Sequence, residues 1–189
     1  MPDQTAPLSV RHRLRTATQP RHAVLDTLAG PIHNAAAYHT YLSGIAAFRT
    51  GAEQALKAAP RPEILGSWQP QTLTSLLMQD LSDLSLPLPA PVLITLPDST
   101  AATMGLLYVL EGSTLGARVL VRQAAGLGFT GAFGARHLTV QADGLSGWQS
   151  FLHCLGQMPD DAIPAAELAA IQTFDAAILA MQATIGPRP

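Results

Sequence analysis

Cysteine is almost missing from this chain: Cys154 is the only one among 189 residues. An intrachain disulfide and a thiolate metal cluster are both excluded, and a reducing cytoplasm is the expected compartment. Charge is scarce as well. Charged residues make up 13% of the chain, with 11 Lys and Arg against 13 Asp and Glu. No block of like charge stands out, so nucleic-acid binding, which needs a basic face, is not expected. Long apolar runs are lacking. The longest, Gly105 to Leu110, is too short to span a bilayer, and Met1 to Val10 holds no signal-peptide core, so no membrane partner is expected. Several catalytic signatures are missing: HExxH and any other close histidine spacing, the P-loop, and GxGxxG. Gly112 to Gly116 looks like a nucleophile elbow, but it has the wrong spacing and lies within a helical pattern.

What the sequence does hold is helical periodicity and proline punctuation, with 48% hydrophobic residues. The pattern predicts an all-α, single-domain fold, with residues 1–7 as a flexible lead-in and 8–189 as the helical domain. A first helix is expected from Leu8 to Leu28, ended by Gly30-Pro31. Pro20 removes a backbone donor inside it, which predicts a kink or a fresh start near Thr18, with Thr18 as N-cap. Asn34 caps a second helix whose stripe is Tyr38, Tyr41, Ile45, Phe48, Ala52 and Leu56, stopped by Pro60 and Pro62. A third is expected from about Gln71 to Leu84. Leu86 to Pro97 is a proline-rich connector. Asp98-Ser99-Thr100 opens a long fourth helix to about Ala125, and glycines from 126 to 134 make a loop. A fifth helix around Leu145 to Gly156 and a last one from Pro164 to Ile185 follow. The last carries a stripe of Leu168, Ile171, Phe174, Ile178, Met181 and Ile185. Leu138 to Val140 is too short to read as a strand.

Two segments carry candidate chemistry. His22 has Asp26 four residues on, the spacing at which a carboxylate takes one ring proton and leaves the other nitrogen free for a metal. The same spacing also occurs in ordinary surface pairs. In the fourth helix, Gly105, Gly112 and Gly116 fall on one face with Tyr108 or Val109 between them. Each interior glycine costs about 1 kcal/mol against alanine, so something approaches the backbone closely: a packed helix or a flat ligand. A bend there would also free backbone amides as donors. Glu111, inside this apolar run, is expected in a structural salt bridge. His153 and Cys154 are neighbours and cannot share a helix face, so they make no nucleophile pair.

The matching segments now define a resemblance. Leu14, Arg15, Ala17, Thr18, His22 and Asp26, then Gly105 through Ala117, Gly134 through Leu138, and Trp148 to Phe151 follow in order at similar spacing. Over about Arg11 to Phe174 the chain resembles the bacterial haem oxygenases, which serve haem-iron acquisition and bilin chromophore synthesis. The resemblance implies haem held between a proximal N-terminal helix and a kinked, glycine-containing distal helix. It implies His22 as the iron ligand and Asp26 as its acidic orienter. Gly112, Ser113 and Gly116 would form the distal bend, Arg15 and Tyr108 would contact propionates, and Phe174 would line the pocket. Pro20 and Arg21 depart from the helix-friendly residues of many members. Asp26 is one methylene shorter than the common glutamate, so its contact is expected to run through water. Ala117 replaces a further glycine of some members.

The implied activity is O₂-dependent cleavage of haem to biliverdin, CO and Fe²⁺. Neutral histidine suits such an iron better than thiolate, and a distal wall without bulk leaves space and ordered water. With no flavin or nicotinamide motif in the chain, a separate reductase or ferredoxin is the implied electron donor. The alternatives are a non-catalytic haem carrier or sensor on the same scaffold, a thiamin-salvage-type helical enzyme using Cys154, and a ligand-free interaction scaffold.

Overall fold

A computed structural model describes residues 9–185; the lead-in expected at residues 1–7 lies outside them. Among the described residues there are eight α-helices: α1 (Val10–Ala29), α2 (Ala35–Ala58), α3 (Thr74–Asp83), α4 (Thr100–Gly112), α5 (Thr114–Gly126), α6 (Arg136–Ala142), α7 (Leu145–Leu155) and α8 (Ile163–Thr184). Helix α8 is the hub, packed against α1, α2 and α4. One core forms around it from Leu14, Phe48, Leu107, Phe151 and Ala170. A second, from Tyr38, Leu42, Leu77, Leu81 and Leu138, joins α2, α3 and α6. By length and composition, Thr100–Gly126 and Asp160–Thr184 would each suffice to cross a membrane. In this fold α4 packs on α8 and α5 on α6.

The stripe expected on the last helix is displaced. Its buried face is Ala166, Ala169, Ala170, Thr173, Phe174, Ala177, Ala180 and Met181, whereas Leu168 is 51% exposed. Alanine on α8 lets neighbouring helices come close, and larger residues flank the contact. Gly105 of α4 uses this gap, because a β-carbon there would run into the Ala166 carbonyl. That glycine is explained by helix packing alone.

Helix α1 shows no fresh start. It runs unbroken through Pro20, and its N-cap is Ser9, whose hydroxyl accepts the amide of His12 at 3.3 Å. Thr18 is no cap, since its buried hydroxyl donates to the Leu14 carbonyl at 2.8 Å. Pro20 is tolerated because it and Thr16, whose carbonyl loses its helical donor, both face solvent. Two ion pairs join α1 to α8, Arg13–Glu167 at 2.9 Å and Arg21–Asp175 at 3.2 Å. Both pairs span 154 residues of sequence. Equal spans mean that the two helices run parallel, which brings residue 22 beside residue 174.

Helix α6 follows the expected glycine loop, where no helix was expected, and it contains Leu138 to Val140. No residue just ahead of it caps it. Its first amides, from Arg136 and His137, donate instead to the Asp80 carboxylate of α3 at 2.9 and 3.0 Å. Helix α3 is capped from a distance in the same way: Glu53 of α2 accepts the amides of Leu73 and Thr74 at 2.7 and 3.2 Å. The connector from 86 to 97 straps α2, with the Val92 amide on the Ala47 carbonyl at 3.1 Å. Gly51 lets the Val92 carbonyl lie on the helix surface.

Candidate haem site

His22 lies on the outer half of α1. Its Nδ1 donates directly to Asp26 Oδ2 at 2.9 Å. The water-mediated contact expected from the short aspartate is thus corrected: at i+4 on a straight helix the shorter arm suffices. This bond leaves Nε2 as the nitrogen with a lone pair, and it makes no hydrogen bond among the described residues. The two side chains are 62% and 68% exposed, and the inner edge of the imidazole rests on Phe174, ring centroids 5.7 Å apart. Phe174 itself is buried. A flat ligand reaching Nε2 would therefore meet an aromatic floor beside the imidazole.

One turn earlier, α1 meets α4. The Tyr108 hydroxyl lies beside Thr18, within reach of the charges of Arg11 and Arg15. Burial pushes the Tyr108 phenol above its usual value of 10, and those three neighbours pull it back only in part. Arg15 is exposed. Arg15 and Tyr108, expected together at propionates, thus share one location. His22 is the next residue of α1 beyond Thr18, and Gly112 the next of α4 beyond Tyr108, each by one helical turn.

The long fourth helix expected from the sequence is two helices, broken at Ser113. Gly112 faces the Trp148 ring of α7, at an ordinary contact distance of 3.5 Å for an added β-carbon. Tyr108 also packs on Trp148, with centroids 5.9 Å apart. At Gly116 an added β-carbon would meet nothing within 4 Å. Protein packing explains Gly105 but gives no reason for glycine at 116, which opens on free space. Ser113 is not a free hydroxyl: it donates to the Leu110 carbonyl at 2.5 Å and accepts from Gln141 Nε2 at 2.5 Å.

Glu111 forms no ion pair among the described residues, which corrects the expected salt bridge. It accepts the Gln71 amide at 3.1 Å, and burial raises its carboxyl above 4.5 despite that bond and the nearby Arg49. The buried cation is Arg49, which sequence reasoning passed over. It donates to Glu53 at 3.3 Å, to the Leu110 carbonyl at 3.2 Å and to the Gln71 carbonyl at 2.8 Å. The i, i+4 spacing of Arg49 and Glu53 within the apolar stripe of α2 was the available signal. A separate cavity of about 520 Å³, lined by Thr50, Glu53, Leu65 and Leu107, includes none of the residues matched to haem.

An all-α fold with an orientable histidine beside an aromatic floor, and a broken helix with unexplained glycines, defines a haem-oxygenase-like protein. No family model matches the chain. The crystal structure of the NO- and CO-bound haem oxygenase of Neisseria meningitidis superposes with a TM-score of 0.76 at 26% identity, covering 96% of this chain and 94% of that one. Haem oxygenase PigA of Pseudomonas aeruginosa is 43% identical over 79 residues, 40% of each chain. That match spans about two-fifths of the curated relative's length. In overall fold, and over that 79-residue segment in sequence, the chain is similar to bacterial haem oxygenases.

Proposed function

We propose that this protein cleaves haem with O₂ to biliverdin, CO and Fe²⁺, drawing electrons from a separate reductase or ferredoxin. The observation that carries the proposal is the direct His22–Asp26 bond beside Phe174, on a helix that shares its packing partner α8 with the glycine-bearing α4. Bound haem supplies both the iron that engages O₂ and the macrocycle that is consumed.

The chain's own residues do the rest. Asp26 holds the Nδ1 proton of His22, so that Nε2 would be the nitrogen that holds the haem iron. Phe174 limits rotation of that ring. Arg15 and Tyr108 supply a cation and a hydroxyl for propionates. Gly112 and Gly116 withhold side chains where the distal helix would pass over the ligand, while Ser113 contributes backbone and an internally committed hydroxyl. The single cysteine fits a cytoplasmic setting. Supply of bilin chromophore and recovery of iron are both uses of this chemistry.

The test is a haem titration of the purified protein, followed by single turnover with O₂ and a reductant and identification of the product. The expected result is a stoichiometric complex whose Soret band decays as bilin absorption grows. His22→Ala should lose the histidine-ligated spectrum and most turnover. A complex that keeps its Soret band under reductant would identify a carrier instead.

A further inference from the structure

The helical ladder breaks at Ser113, yet its φ of −63° and ψ of −17° are ordinary right-handed values. Neither Gly112 nor Gly116 has a positive φ. The break is therefore not made by a glycine conformation. What sets this position apart is one carbonyl with two side-chain donors. In an unbroken helix the Leu110 oxygen would accept the amide of Thr114. Here it accepts the Ser113 hydroxyl and Arg49 Nη1. A carbonyl oxygen offers two lone pairs, and both are taken.

The Ser113 hydroxyl has one proton to place. The amide nitrogen of Gln141 can only donate, so its bond to Ser113 Oγ directs that proton to Leu110. Gln141 is 4% exposed and sits on α6. Helix α6 is itself anchored at its other end: Asp80 accepts the amides of Arg136 and His137 and the His137 Nδ1–H, while Arg136 pairs with Asp83. The Gln71 side chain adds a bond to the Val140 carbonyl at 2.9 Å.

We propose that Gln141 is a positioning residue for haem cleavage: it holds the Ser113 hydroxyl on the Leu110 carbonyl and thereby fixes the helix break that carries Gly112 and Gly116. The inference rests on the haem reading above for its consequence, while the pin itself belongs to the protein without ligand.

The experiment has two arms. In the first, hydrogen exchange of the ligand-free protein is compared among wild type, Gln141→Leu, Ser113→Ala and the double variant. The Thr114 amide should exchange on the order of tenfold more slowly in each single variant, because a Leu110 lone pair released by the Ser113 hydroxyl can accept it and close the ladder, with α8 unchanged. The double variant should match Ser113→Ala, because Gln141 acts through Ser113. In the second arm, the biliverdin isomer ratio is read after turnover, and both single variants should shift it in the same direction. Unchanged or faster exchange at Thr114, or effects that add in the double variant, would overturn the proposal. Should Gln141→Leu fail to fold, Ser113→Ala removes the same hydroxyl without touching α6, and unchanged exchange there is equally fatal. A wild type that binds no haem would overturn the functional reading, and the titration, not the exchange, reveals that.

Discussion

Gly105 of α4 lies against the carbonyl oxygen of Ala166 in α8, with the Ala169 methyl beside it, leaving no room for a β-carbon. Gly116, eleven residues on, faces open space. The two glycines should therefore respond oppositely to alanine. Gly105→Ala should destabilise the protein by about 1–3 kcal/mol through overpacking. Gly116→Ala should stabilise the ligand-free protein by up to about 1 kcal/mol through helix propensity, while weakening haem binding. Urea unfolding and haem titration of both variants check the pair. A Gly116→Ala protein that binds haem like wild type would remove the reason given for that glycine.

In the proposed site Asp26 would act on haem only through His22, to which it is bonded. Because both side chains are largely exposed, Asp26→Ala should leave stability within about 0.5 kcal/mol of wild type. Its haem affinity should fall roughly 10- to 100-fold, the usual cost of losing the partner that orients a ligating histidine. Spectral titration and thermal melting separate the two effects.

His137 gives stability a pH dependence. It is fully buried, donates Nδ1–H to Asp80 at 2.7 Å and has no partner for Nε2 among the described residues. Burial holds its pKa below 6.5, outweighing the pull of Asp80. The unfolded chain thus takes up a proton near 6.5 that the folded protein refuses until lower pH. Its stabilisation is complete above 6.5 and declines as pH falls from there. Burial would raise Asp80, but hydrogen bonds from His137 and Arg136 outweigh it and keep the carboxyl below 3.8, adding a second loss in stronger acid. Glu111, raised by burial above 4.5, runs the other way and partly offsets that loss as it protonates. The urea midpoint should drop between about pH 7.5 and 5.5, and His137→Asn should flatten that slope. A wild-type midpoint constant over this window would contradict a neutral buried imidazole.

Arg49 is a buried cation with three separate acceptors. Arg49→Met would leave Glu53 without its cation and the Leu110 and Gln71 carbonyls without its guanidinium. Breaking a buried pair from one side costs about 3–5 kcal/mol. Arg49→Lys should recover only part of this, because an ammonium cannot reach three separate acceptors as the planar fork does. Chemical denaturation of both variants measures the difference.

Much of the fold was legible because the signals were local. Asn34 and Ser99 cap α2 and α4, accepting amides three residues on, and Pro60 and Pro62 end α2. The His22–Asp26 pair was legible for the same reason. What stayed hidden depends on distant partners. Helix α6 has seven residues and borrows its cap from Asp80. The face of α8 was read only in part because alanine suits surface and core alike: Phe174 and Met181 of the expected stripe are buried, its isoleucines lie at the edge of that face, and Leu168 is exposed. Pro20 misled because a proline inside a helix usually breaks it, and whether solvent can replace the lost bond depends on which way Thr16 faces. Gln141 and Arg49 gave little sign of their part in the break, since the carbonyl they govern belongs to a leucine.

The place of α8 at the hub also bears on synthesis. A ribosome delivers this segment after α1, α2 and α4, the three helices that close around it. Until it emerges, those helices have no common partner, and their alkyl and aromatic faces stay wet. The nascent chain is thus kept waiting for its own centre, and α1 can take up its parallel alignment only once residues 167 and 175 have been translated.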